Sequence, residues 1–380
     1  MNRNNILDYM SYLIKPASAS CNLRCPYCFY TDVAETRCIP NFGKMKNNTT
    51  QALIDGAFNA VKENGQIQFS FQGGEPTLAG LSYFENFINR VNEKLEVMPL
   101  VTVNYSIQSN GTMFTRDWFP FLKANRFLVG ISLDGYQENT DEFRIDIRGI
   151  GQYHTIMKNI EILKDYEIDF NILTVLTQKL AKDPERLYHF YKEHGLNHVQ
   201  LIPCLPNLDL KDDKDALDAR SFARFYKPFY DLWFEDYKLG NPINIGLFNN
   251  IIPMYIGIAP DMCGMLGKCA PQFVVEGDGS VYPCDFFVLD EYKCGNVHDH
   301  SVYELLGKST MIKFLNESNN PSSACDSCSF KNICHSNCKR QNVVLFDESG
   351  YCGYQDFLNH SYESMIEIAT SLLDRNRATL

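Results

Sequence analysis

Cys21-Asn-Leu-Arg-Cys25-Pro-Tyr-Cys28 places three thiols on one short loop, directly after a strand predicted at residues 12–15. Three thiolates can ligate three irons of a four-iron cube and leave the fourth iron open to a small chelating molecule. A zinc ion is the alternative occupant; it needs a fourth protein ligand, and Cys38 is available. The loop therefore indicates a metal centre, with an iron-sulfur cluster as the main interpretation.

Strand-like and helix-like segments alternate around and beyond this loop. Six such units predict a parallel sheet that curls toward a barrel, because a closed barrel of this kind needs eight. We therefore predict an α/β fold with a partial (β/α)6 TIM-like barrel. The predicted strands are 12–15, 67–72, 101–109, 127–133, 170–176 and 198–203, and the predicted helices between them are 49–64, 80–95, 115–125, 152–165 and 182–194.

The second half of the chain has a different composition, because most of the remaining cysteines lie between Cys263 and Cys352. We predict a domain boundary near residue 240, with the partial barrel in residues 1–240 and a small cysteine-rich domain in residues 241–380. Within the second domain, Val274-Val-Glu-Gly-Asp-Gly-Ser-Val-Tyr282 predicts a tight hairpin, because its glycines allow the positive φ angles of the turn.

Composition and charge exclude several classes of protein. The 380 residues are 45% hydrophobic and include 35 Lys and Arg against 46 Asp and Glu, a net charge of −11. This balance argues against a nucleic-acid binder and against a protein of anionic membranes. Residues 1–18 lack the apolar core of a signal peptide, and no apolar run approaches the roughly 18 residues of a membrane span, so we expect a cytoplasmic protein. In that reducing compartment, fourteen cysteines indicate metal ligation rather than disulfides.

Small polar segments follow the next three predicted strands: Gln72-Gly-Gly-Glu-Pro-Thr77, Ser109-Asn-Gly-Thr112 and Ser132-Leu-Asp-Gly135. The carboxyl ends of barrel strands meet at the mouth where barrel enzymes bind their ligands. Paired glycines also let the backbone approach a ligand closely. The structural alternatives are a plain glycine turn in the first segment and a turn cap at Ser132. Together the segments predict a small-molecule site at the mouth of the barrel.

The Cys-x3-Cys-x2-Cys spacing, followed by Phe29-Tyr30 after the first strand, resembles the radical S-adenosylmethionine (SAM) enzymes. The resemblance implies that the open iron chelates SAM and that one electron from the cluster releases a 5′-deoxyadenosyl radical. The family's usual residues after the Asp-Gly pair are absent here, so only Arg144 is carried over from that region. The SAM-binding residues expected on this basis are Gly73, Gly74, Glu75, Asn110, Ser132, which would contact the ribose or carboxylate, and Arg144.

Eight further thiols could form two sites of four ligands each. Their spacing resembles the SPASM module of peptide-modifying radical SAM enzymes, which implies two auxiliary 4Fe-4S clusters and three clusters in all. A zinc ribbon remains the alternative for residues 325–338, because Cys-x2-Cys pairs also bind zinc. By the resemblance, one auxiliary cluster is held by Cys263, Cys269, Cys284 and Cys338, and the other by Cys325, Cys328, Cys334 and Cys352. Cys38, Cys204 and Cys294 are interpreted as free cysteines.

Several longer stretches are similar to the anaerobic sulfatase-maturing enzymes: Ile14-Lys-Pro16, Cys28-Phe-Tyr30, residues 71–80, Gln272-Phe-Val-Val-Glu276 and residues 278–285. The resemblance implies an oxidoreductase that converts a Cys or Ser of an unfolded sulfatase polypeptide to Cα-formylglycine under anaerobic conditions. It also implies an electron donor such as flavodoxin or ferredoxin.

The proposed chemistry gives Asp285 a role. Conversion of a Cβ radical to an aldehyde or thioaldehyde requires the loss of an electron and a proton together. A carboxylate directly after the predicted cluster ligand Cys284 would place a base beside an electron acceptor. The alternative for Asp285 is a surface residue at the end of a hairpin. Tyr30 and Gln72 are candidates to hold the target side chain by hydrogen bonds, with core packing as their alternative. We therefore expect Asp285, Tyr30 and Gln72 to form the catalytic group.

Two other functions remain open from the sequence. A SPASM enzyme that forms a thioether or carbon crosslink in a ribosomal peptide would share the same motifs, although many such enzymes carry an N-terminal peptide-recognition domain. A zinc-binding interaction protein would contain zinc without iron and sulfide. The sequence does not determine the choice of Cys or Ser target, the partner sulfatase, the reductant or the oligomeric state.

Overall fold

The structure is a computed structural model that describes residues 7–208, 213–317 and 323–378. It contains the six predicted strands with helices between them. In residues 7–208 the elements are β1 (Leu7–Ile14), α1 (Phe29–Thr36), α2 (Asn47–Ala60), β2 (Val61–Phe71), α3 (Leu81–Val97), β3 (Thr102–Ser109), α4 (Trp118–Ala124), β4 (Leu128–Ser132), α5 (Gln137–Phe143), α6 (Tyr153–Asp165), β5 (Phe170–Leu176), α7 (Pro184–Glu193) and β6 (His198–Pro203). Beyond residue 212 they are α8 (Ala219–Lys238), β7 (Asn244–Ile245), α9 (Gly246–Met254), β8 (Val274–Val275), β9 (Ser280–Tyr282), β10 (Gly295–Asn296), α10 (Val302–Leu306), α11 (Ser309–Asn316), α12 (Lys331–Cys334) and α13 (Gly353–Ala378).

The junction of α2 and β2 differs from the sequence prediction. The helix predicted at 49–64 ends before Val61, where β2 begins at once. Val61 pairs with Leu7 of β1, and the register then shifts so that Tyr9 pairs with Gln66. Residues 61–64, which were predicted as helix, therefore belong to β2. Tertiary contacts with β1 override their weak local helix propensity.

The chain forms two compact units, which comprise the described residues of Met1–Ser132, Asp141–Phe170 and Ala270–Leu315, and of Leu133–Thr140, Asn171–Cys269 and Asn316–Leu380. In the first unit the strands lie in the order β10-β9-β8-β1-β2-β3-β4. Strands β8, β1, β2, β3 and β4 are parallel, whereas β8, β9 and β10 form antiparallel pairs, which confirms the predicted hairpin. The predicted boundary near residue 240 rests on composition and remains a prediction.

The core of the first unit packs α3 against β2 through aromatic side chains. The ring centroid of Phe71 on β2 lies 4.9 Å from that of Phe84 and 5.0 Å from that of Phe87, both on α3. Phe69 of β2 lies 5.0 Å from the same Phe87 ring. All four side chains are buried, and each contributes about 1.5–3 kcal/mol of burial free energy. This packing fixes both ends of the polar segment between β2 and α3.

In the second unit, β5, β6 and β7 are parallel neighbours. Helices α8, α9 and α13 pack together through aromatic rings: the Tyr230 and Phe248 centroids lie 5.2 Å apart, and those of Tyr226 and Phe357 lie 5.4 Å apart. The longest helix, α13, has 26 residues. Neither α13 nor any other helix in the described part of the chain is long and apolar enough to cross a membrane.

Candidate active site

Three neighbouring parallel strands of the first unit end beside one another and deliver three polar side chains to the same edge. Ile14, the last residue of β1, pairs with the last residue of β2 on one side and of β8 on the other. The next residues along these strands are Lys15, Gln72 and Glu276. Because parallel strands share the direction of their carboxyl ends, these side chains are brought together although they are far apart in sequence.

Asp285 lies at the centre of this group. Its Oδ2 atom accepts a 2.6 Å hydrogen bond from the Tyr30 hydroxyl and a 2.9 Å hydrogen bond from Gln72 Nε2. Its Oδ1 atom lies 3.2 Å from Lys15 Nζ. The backbone N–H of Asp285 donates to Gln272 Oε1 at 3.0 Å, which fixes the residue from the other side. The structure therefore brings together the three residues predicted to be catalytic, with one carboxylate as their common partner.

A buried network of four charged groups surrounds the carboxylate. Lys15 Nζ lies between Asp285 and Glu276, 3.9 Å from Glu276 Oε1, and that same oxygen pairs with Arg37 Nη1 at 2.7 Å. All four side chains are buried, so each charge needs its partner: removal of one member of a buried pair costs about 3–5 kcal/mol. With both carboxylates ionised the formal charges sum to zero, and the network holds Asp285 in one orientation.

The phenol of Tyr30 is kept protonated by its surroundings. Burial, followed by the nearby Asp285 carboxylate, raises the pKa of Tyr30 well above its ordinary value. The hydroxyl is thus a hydrogen-bond donor to the carboxylate, and Lys15 Nζ sits 4.8 Å from the centroid of the phenol ring. Tyr30 therefore donates a hydrogen bond that positions the carboxylate.

The loop of Cys21, Cys25 and Cys28 follows β1 and ends at Cys28, the N-cap residue of α1. The Cys21 sulfur accepts hydrogen bonds from the Leu23 N–H at 3.4 Å and from Asn110 Nδ2 at 3.8 Å. Burial raises the pKa of the Cys21 thiol to about 11. N–H donors to a ligand sulfur are typical of iron-sulfur sites, and a bound cluster favours the thiolate, so the loop fits a cluster held by three thiols.

Glu75 is fully buried and connects the ends of β2 and β3. Its carboxylate accepts hydrogen bonds from the Ser109 hydroxyl at 2.9 Å, from the Asn110 N–H at 2.8 Å and from the Thr77 N–H at 3.1 Å. Burial raises the pKa of Glu75, against the effect of these donors. In the structure Glu75 organises the two segments, and Asn110, through its side chain, links them to the Cys21 loop.

Gly73 and Gly74 occupy backbone positions that disfavour any residue with a side chain. Gly73 has a φ of +120°. A Cβ on Gly74 would lie 2.2 Å from the carbonyl oxygen of Ser20, and the Gly74 N–H donates to Ser18 O at 3.0 Å. The backbone of Gly74 thus lies against the backbone of the loop that carries the cysteines. The absence of a side chain lets the end of β2 contact the segment that follows β1.

Ser132 and Arg144 are also in the first unit. The Ser132 hydroxyl accepts a 3.0 Å hydrogen bond from Gln108 Nε2. Arg144 is buried, and its guanidinium carbon lies 5.9 Å from the ring centroid of Tyr27, in the cysteine loop. Both residues are therefore fixed near the strand ends, and their contacts with SAM remain predictions.

In the second unit, Cys263, Cys269 and Cys338 lie close enough to influence one another electrostatically, and burial raises the pKa of Cys263 and Cys269. A Cβ on Gly264 would lie 3.1 Å from the Cβ of Cys338, so the two cysteine segments are in tight contact. Cys284, the fourth expected ligand, belongs to the first unit and is the N-cap of the short helical turn that begins with Asp285.

A pocket in the second unit is lined by the other four expected ligands, Cys325, Cys328, Cys334 and Cys352. Burial raises the pKa of Cys334 to about 12, whereas an N–H of the backbone at Ser336 lowers it. The Cys352 sulfur accepts a hydrogen bond from the Gln355 N–H at 3.3 Å. Four thiols around one pocket, with N–H donors to two of them, fit an iron-sulfur cluster.

Three consecutive residues between Cys334 and Cys338 have positive φ angles: His335 at 49°, Ser336 at 64° and Asn337 at 55°. Such angles are unfavourable for residues other than glycine, so the surrounding contacts must hold this turn. His335 Nδ1 lies 2.8 Å from the carbonyl oxygen of Met265 in the neighbouring cysteine segment. The turn thus reverses the chain between two cysteines that are expected to bind different clusters.

Sequence reasoning missed the other three charged groups of the network around Asp285. Lys15, Arg37 and Glu276 received no role, although Lys15 and Glu276 lie in stretches that carried the family resemblance. The signal that could have found them is a charged residue directly after an apolar strand, since a charge at that position is buried and must be paired. Arg37 has no such signal, because it follows α1 in a loop.

Comparison with known proteins agrees with this geometry. Residues 16–191 match the radical SAM superfamily, and residues 268–329 match the SPASM iron-sulfur cluster-binding domain. The chain is 39% identical over 373 residues to a cysteine-type anaerobic sulfatase-maturating enzyme of Clostridium novyi, covering 96% of this chain and 99% of that one. It is 35% identical over 370 residues to the cysteine-type enzyme of Clostridium perfringens, with 96% and 99% coverage. It is 27% identical over 346 residues to a serine-type enzyme of Bacteroides thetaiotaomicron, with 86% and 82% coverage.

The comparison with solved structures points to the same group of proteins as the comparison of sequences. The structure described as native anSMEcpe with bound AdoMet and Cp18Cys peptide superposes with a TM-score of 0.88 at 33% identity, covering 96% of this chain and 99% of that chain. SuiB of Streptococcus suis, bound to its precursor peptide SuiA, gives a TM-score of 0.60 at 16% identity, with coverage of 91% and 76%. The likeness to SuiB concerns the fold alone. The predicted α/β fold, with a partial barrel followed by a SPASM domain, is confirmed.

Proposed function

Because the chain belongs to the family of anaerobic sulfatase-maturating enzymes, which are radical SAM enzymes with a SPASM domain, we propose that it oxidises a cysteine of an unfolded sulfatase to Cα-formylglycine. The observation that carries this proposal is the Asp285 carboxylate, held by Tyr30, Gln72 and Lys15 directly after Cys284. A fixed base beside a cluster ligand suits a reaction that removes a proton and an electron from one carbon.

The residues of this chain have distinct roles in the proposal. When bound, SAM and its cluster would supply a 5′-deoxyadenosyl radical for hydrogen abstraction at the substrate Cβ, and the auxiliary clusters would provide an electron acceptor. Asp285 takes the remaining proton, while Lys15 balances its charge and Tyr30 and Gln72 orient it. Hydrolysis of the resulting thioaldehyde releases sulfide. The SAM contacts are assigned to Gly73, Gly74, Glu75, Asn110, Ser132 and Arg144.

The choice of cysteine as target follows the relatives. Identity to the cysteine-type enzymes is 35–39% with near-complete coverage, whereas identity to a serine-type enzyme is 27% with shorter coverage. Thiolate ligation by eleven cysteines also requires a reducing compartment, so we place the protein in the cytoplasm. We retain the division into a radical SAM domain at 1–240 and a SPASM domain at 241–380.

We expect the protein, purified without oxygen and supplied with SAM and dithionite, to convert a cysteine-containing sulfatase peptide to the formylglycine peptide. Mass spectrometry should show an aldehyde-bearing product that has lost sulfur, with sulfide released in equal amount. A peptide with alanine at the target position is the control, and it should remain unchanged. A product that keeps its sulfur and loses two hydrogens would instead indicate a crosslinking maturase, and zinc without iron would exclude the radical reaction.

Single alanine replacements should separate the two auxiliary clusters. We expect Cys284→Ala and Cys328→Ala each to lose roughly four of roughly twelve irons, since each removes one ligand of a different four-thiol site. Both variants should also lose solubility, because a site of four thiolates contributes directly to folding. Iron and sulfide analysis measures the effect, with Cys38→Ala, at an exposed cysteine outside both sets, as control. Full iron content in both variants would contradict two auxiliary clusters.

A further inference from the structure

A buried phenol belongs to the wall of the pocket that is lined by Cys325, Cys328, Cys334 and Cys352. Tyr354, the second residue of α13, lines this pocket together with the four cysteines. It is 1% exposed. Tyr354 also lies close enough to Cys334 and Cys352 to interact electrostatically with both. The phenol is therefore part of the expected cluster site, although neither the sequence motifs nor the proposed function uses it.

The hydroxyl of Tyr354 has no hydrogen-bond partner among the residues that the structure describes. Two other buried tyrosines of the same unit do have partners. The hydroxyl of Tyr191 pairs with Thr174 Oγ1 at 2.7 Å. The hydroxyl of Tyr230 pairs with Ser364 Oγ at 2.8 Å. A buried polar group without a partner is rare, because it gives up its hydrogen bonds to water and gains none in return. The Tyr354 hydroxyl thus points to an acceptor that the pocket binds.

Packing does not explain why this residue is a tyrosine. The ring centroid of Tyr354 lies 5.8 Å from that of Phe222 on α8. Phe330 and Leu358 are buried neighbours in the wall of the pocket. The side chains of these three neighbours contain no hydrogen-bond acceptor. A phenylalanine would bury the same ring, whereas the hydroxyl costs desolvation free energy unless an acceptor is supplied.

The sulfurs of an iron-sulfur cluster are acceptors of the required kind. Backbone donors already serve two of the expected ligands. The Gln355 N–H donates to the Cys352 sulfur at 3.3 Å. The backbone N–H at Ser336 donates to Cys334. A tyrosine is protonated at neutral pH, so the O–H of Tyr354 is a donor that faces the same pocket. Hydrogen bonds to the sulfurs are one of the factors that set the reduction potential of such a cluster.

We propose that Tyr354 donates a hydrogen bond to a sulfur of the cluster held by the four cysteines of this pocket, and that this bond raises the cluster's reduction potential. The inference rests on the proposed function, in which the auxiliary clusters accept one electron. The reduced cluster carries one more negative charge than the oxidised cluster, so it accepts the hydrogen bond more strongly. Tyr354 keeps its proton, and no covalent bond forms or breaks. The residue thereby favours the presence of the electron on this cluster.

The test is a redox titration of Tyr354→Phe, followed by electron paramagnetic resonance (EPR) on the enzyme with all its clusters. Phenylalanine keeps the ring and removes the donor. The equilibrium constant for one-electron reduction of one cluster should fall by about tenfold, which lowers its midpoint potential by about 59 mV. The corresponding constants of the other clusters should change by less than about twofold. Iron content should stay at roughly twelve per chain, as expected for three four-iron clusters.

A spectroscopic measurement identifies the donor directly. In D2O the phenol carries an exchangeable deuteron, which pulsed EPR of the reduced cluster should detect in the unchanged enzyme. This deuteron coupling should be lost in Tyr354→Phe, while the couplings of the backbone N–D groups remain. Tyr230→Phe is the matched control, because it removes the hydroxyl of another buried tyrosine whose partner is Ser364. The control should leave the potentials and the deuteron coupling unchanged.

A second variant tests whether the Tyr354 hydroxyl instead shares an ordered water with a neighbour. The hydroxyl of Tyr255 also has no hydrogen-bond partner among the described residues, and Tyr255 interacts electrostatically with Tyr354. Tyr255 is not among the residues that line the pocket. We expect Tyr255→Phe to leave the potentials unchanged. A shift as large as that of Tyr354→Phe would assign the effect to a water between the two hydroxyls and would overturn the direct bond.

Three further outcomes would contradict the proposal. An unchanged or raised potential in Tyr354→Phe would show that the hydroxyl does not stabilise the reduced cluster. Loss of roughly four irons in this variant would show that Tyr354 serves assembly of the site and not its potential. Zinc in the pocket would exclude the cluster itself. An enzyme that holds its irons but makes no formylglycine would contradict the proposed function alone, because the redox titration requires neither SAM nor substrate.

Discussion

Replacement of Cys21, Cys25 and Cys28 together by alanine should abolish SAM cleavage while roughly eight irons remain bound. The three thiols are the expected ligands of the cluster that binds SAM, and they lie on one loop of the first unit. The cysteines expected at the auxiliary clusters lie in other segments and are not altered. Iron analysis together with chromatography of 5′-deoxyadenosine measures both effects in one preparation.

Partial cluster loss through misfolding is the alternative explanation for a loss of activity in this variant. Retention of roughly eight irons excludes it, since the auxiliary sites would be lost in a misfolded chain. Formation of 5′-deoxyadenosine at the native rate would show that SAM does not bind at this loop. A fall to roughly four irons would show that the loop and an auxiliary site do not assemble independently.

Asp285→Asn should uncouple the two halves of the reaction. Hydrogen abstraction precedes proton removal, so SAM cleavage should persist, whereas formylglycine formation should fall by about 10²–10⁴-fold, as is typical when a general base is lost. Asparagine keeps the shape of the side chain and can still accept hydrogen bonds from Tyr30 and Gln72. Lys15 retains Glu276 as a partner at 3.9 Å, which limits the cost to the fold. The ratio of 5′-deoxyadenosine to formylglycine is the measured quantity.

Asp290→Asn is the matched control for this prediction. It makes the same change five residues further along, where the carboxylate accepts a hydrogen bond from the Cys38 N–H and interacts with Arg37, while Asp285 and its bonds to Tyr30 and Gln72 are unaltered. Its product ratio should equal that of the unchanged enzyme. Native yield of formylglycine per SAM cleaved in the Asp285 variant would remove Asp285 from the mechanism, and equal loss of both activities would indicate misfolding.

The order of strands and helices could be predicted because it depends on local patterns. Apolar runs bounded by glycine and polar residues mark the strands, and their lengths allow little ambiguity. β5 and β6 were predicted with the bounds that the structure has. The start of β2 was missed, because pairing of Val61 with Leu7 depends on a distant segment that leaves no local signal.

The site residues that could be predicted are those that lie in recognisable sequence motifs. Asp285 was expected as the base, and Tyr30 and Gln72 were expected to hold the target side chain. In the structure both of them donate hydrogen bonds to the Asp285 carboxylate. The ion pairs of Lys15 and Arg37 with Glu276 could not be predicted, because they join residues more than 200 positions apart. A sequence pattern reveals that a charge is present, whereas its partner is decided by which strands become neighbours.

The position of β8 beside β1 has a consequence for the synthesis of the protein. Val274 is translated 260 residues after Ile14, so at about 5–20 residues per second the nascent chain waits roughly 13–50 s for this strand. Until then one edge of β1 has open backbone groups that can pair with another chain. Glu276 and Asp285 are also absent, so Lys15 and Arg37 lack their counter-charges. We therefore expect the nascent chain to need chaperones until β8 is synthesised. A chain truncated before residue 274 should be prone to aggregation, because the edge of β1 stays unpaired.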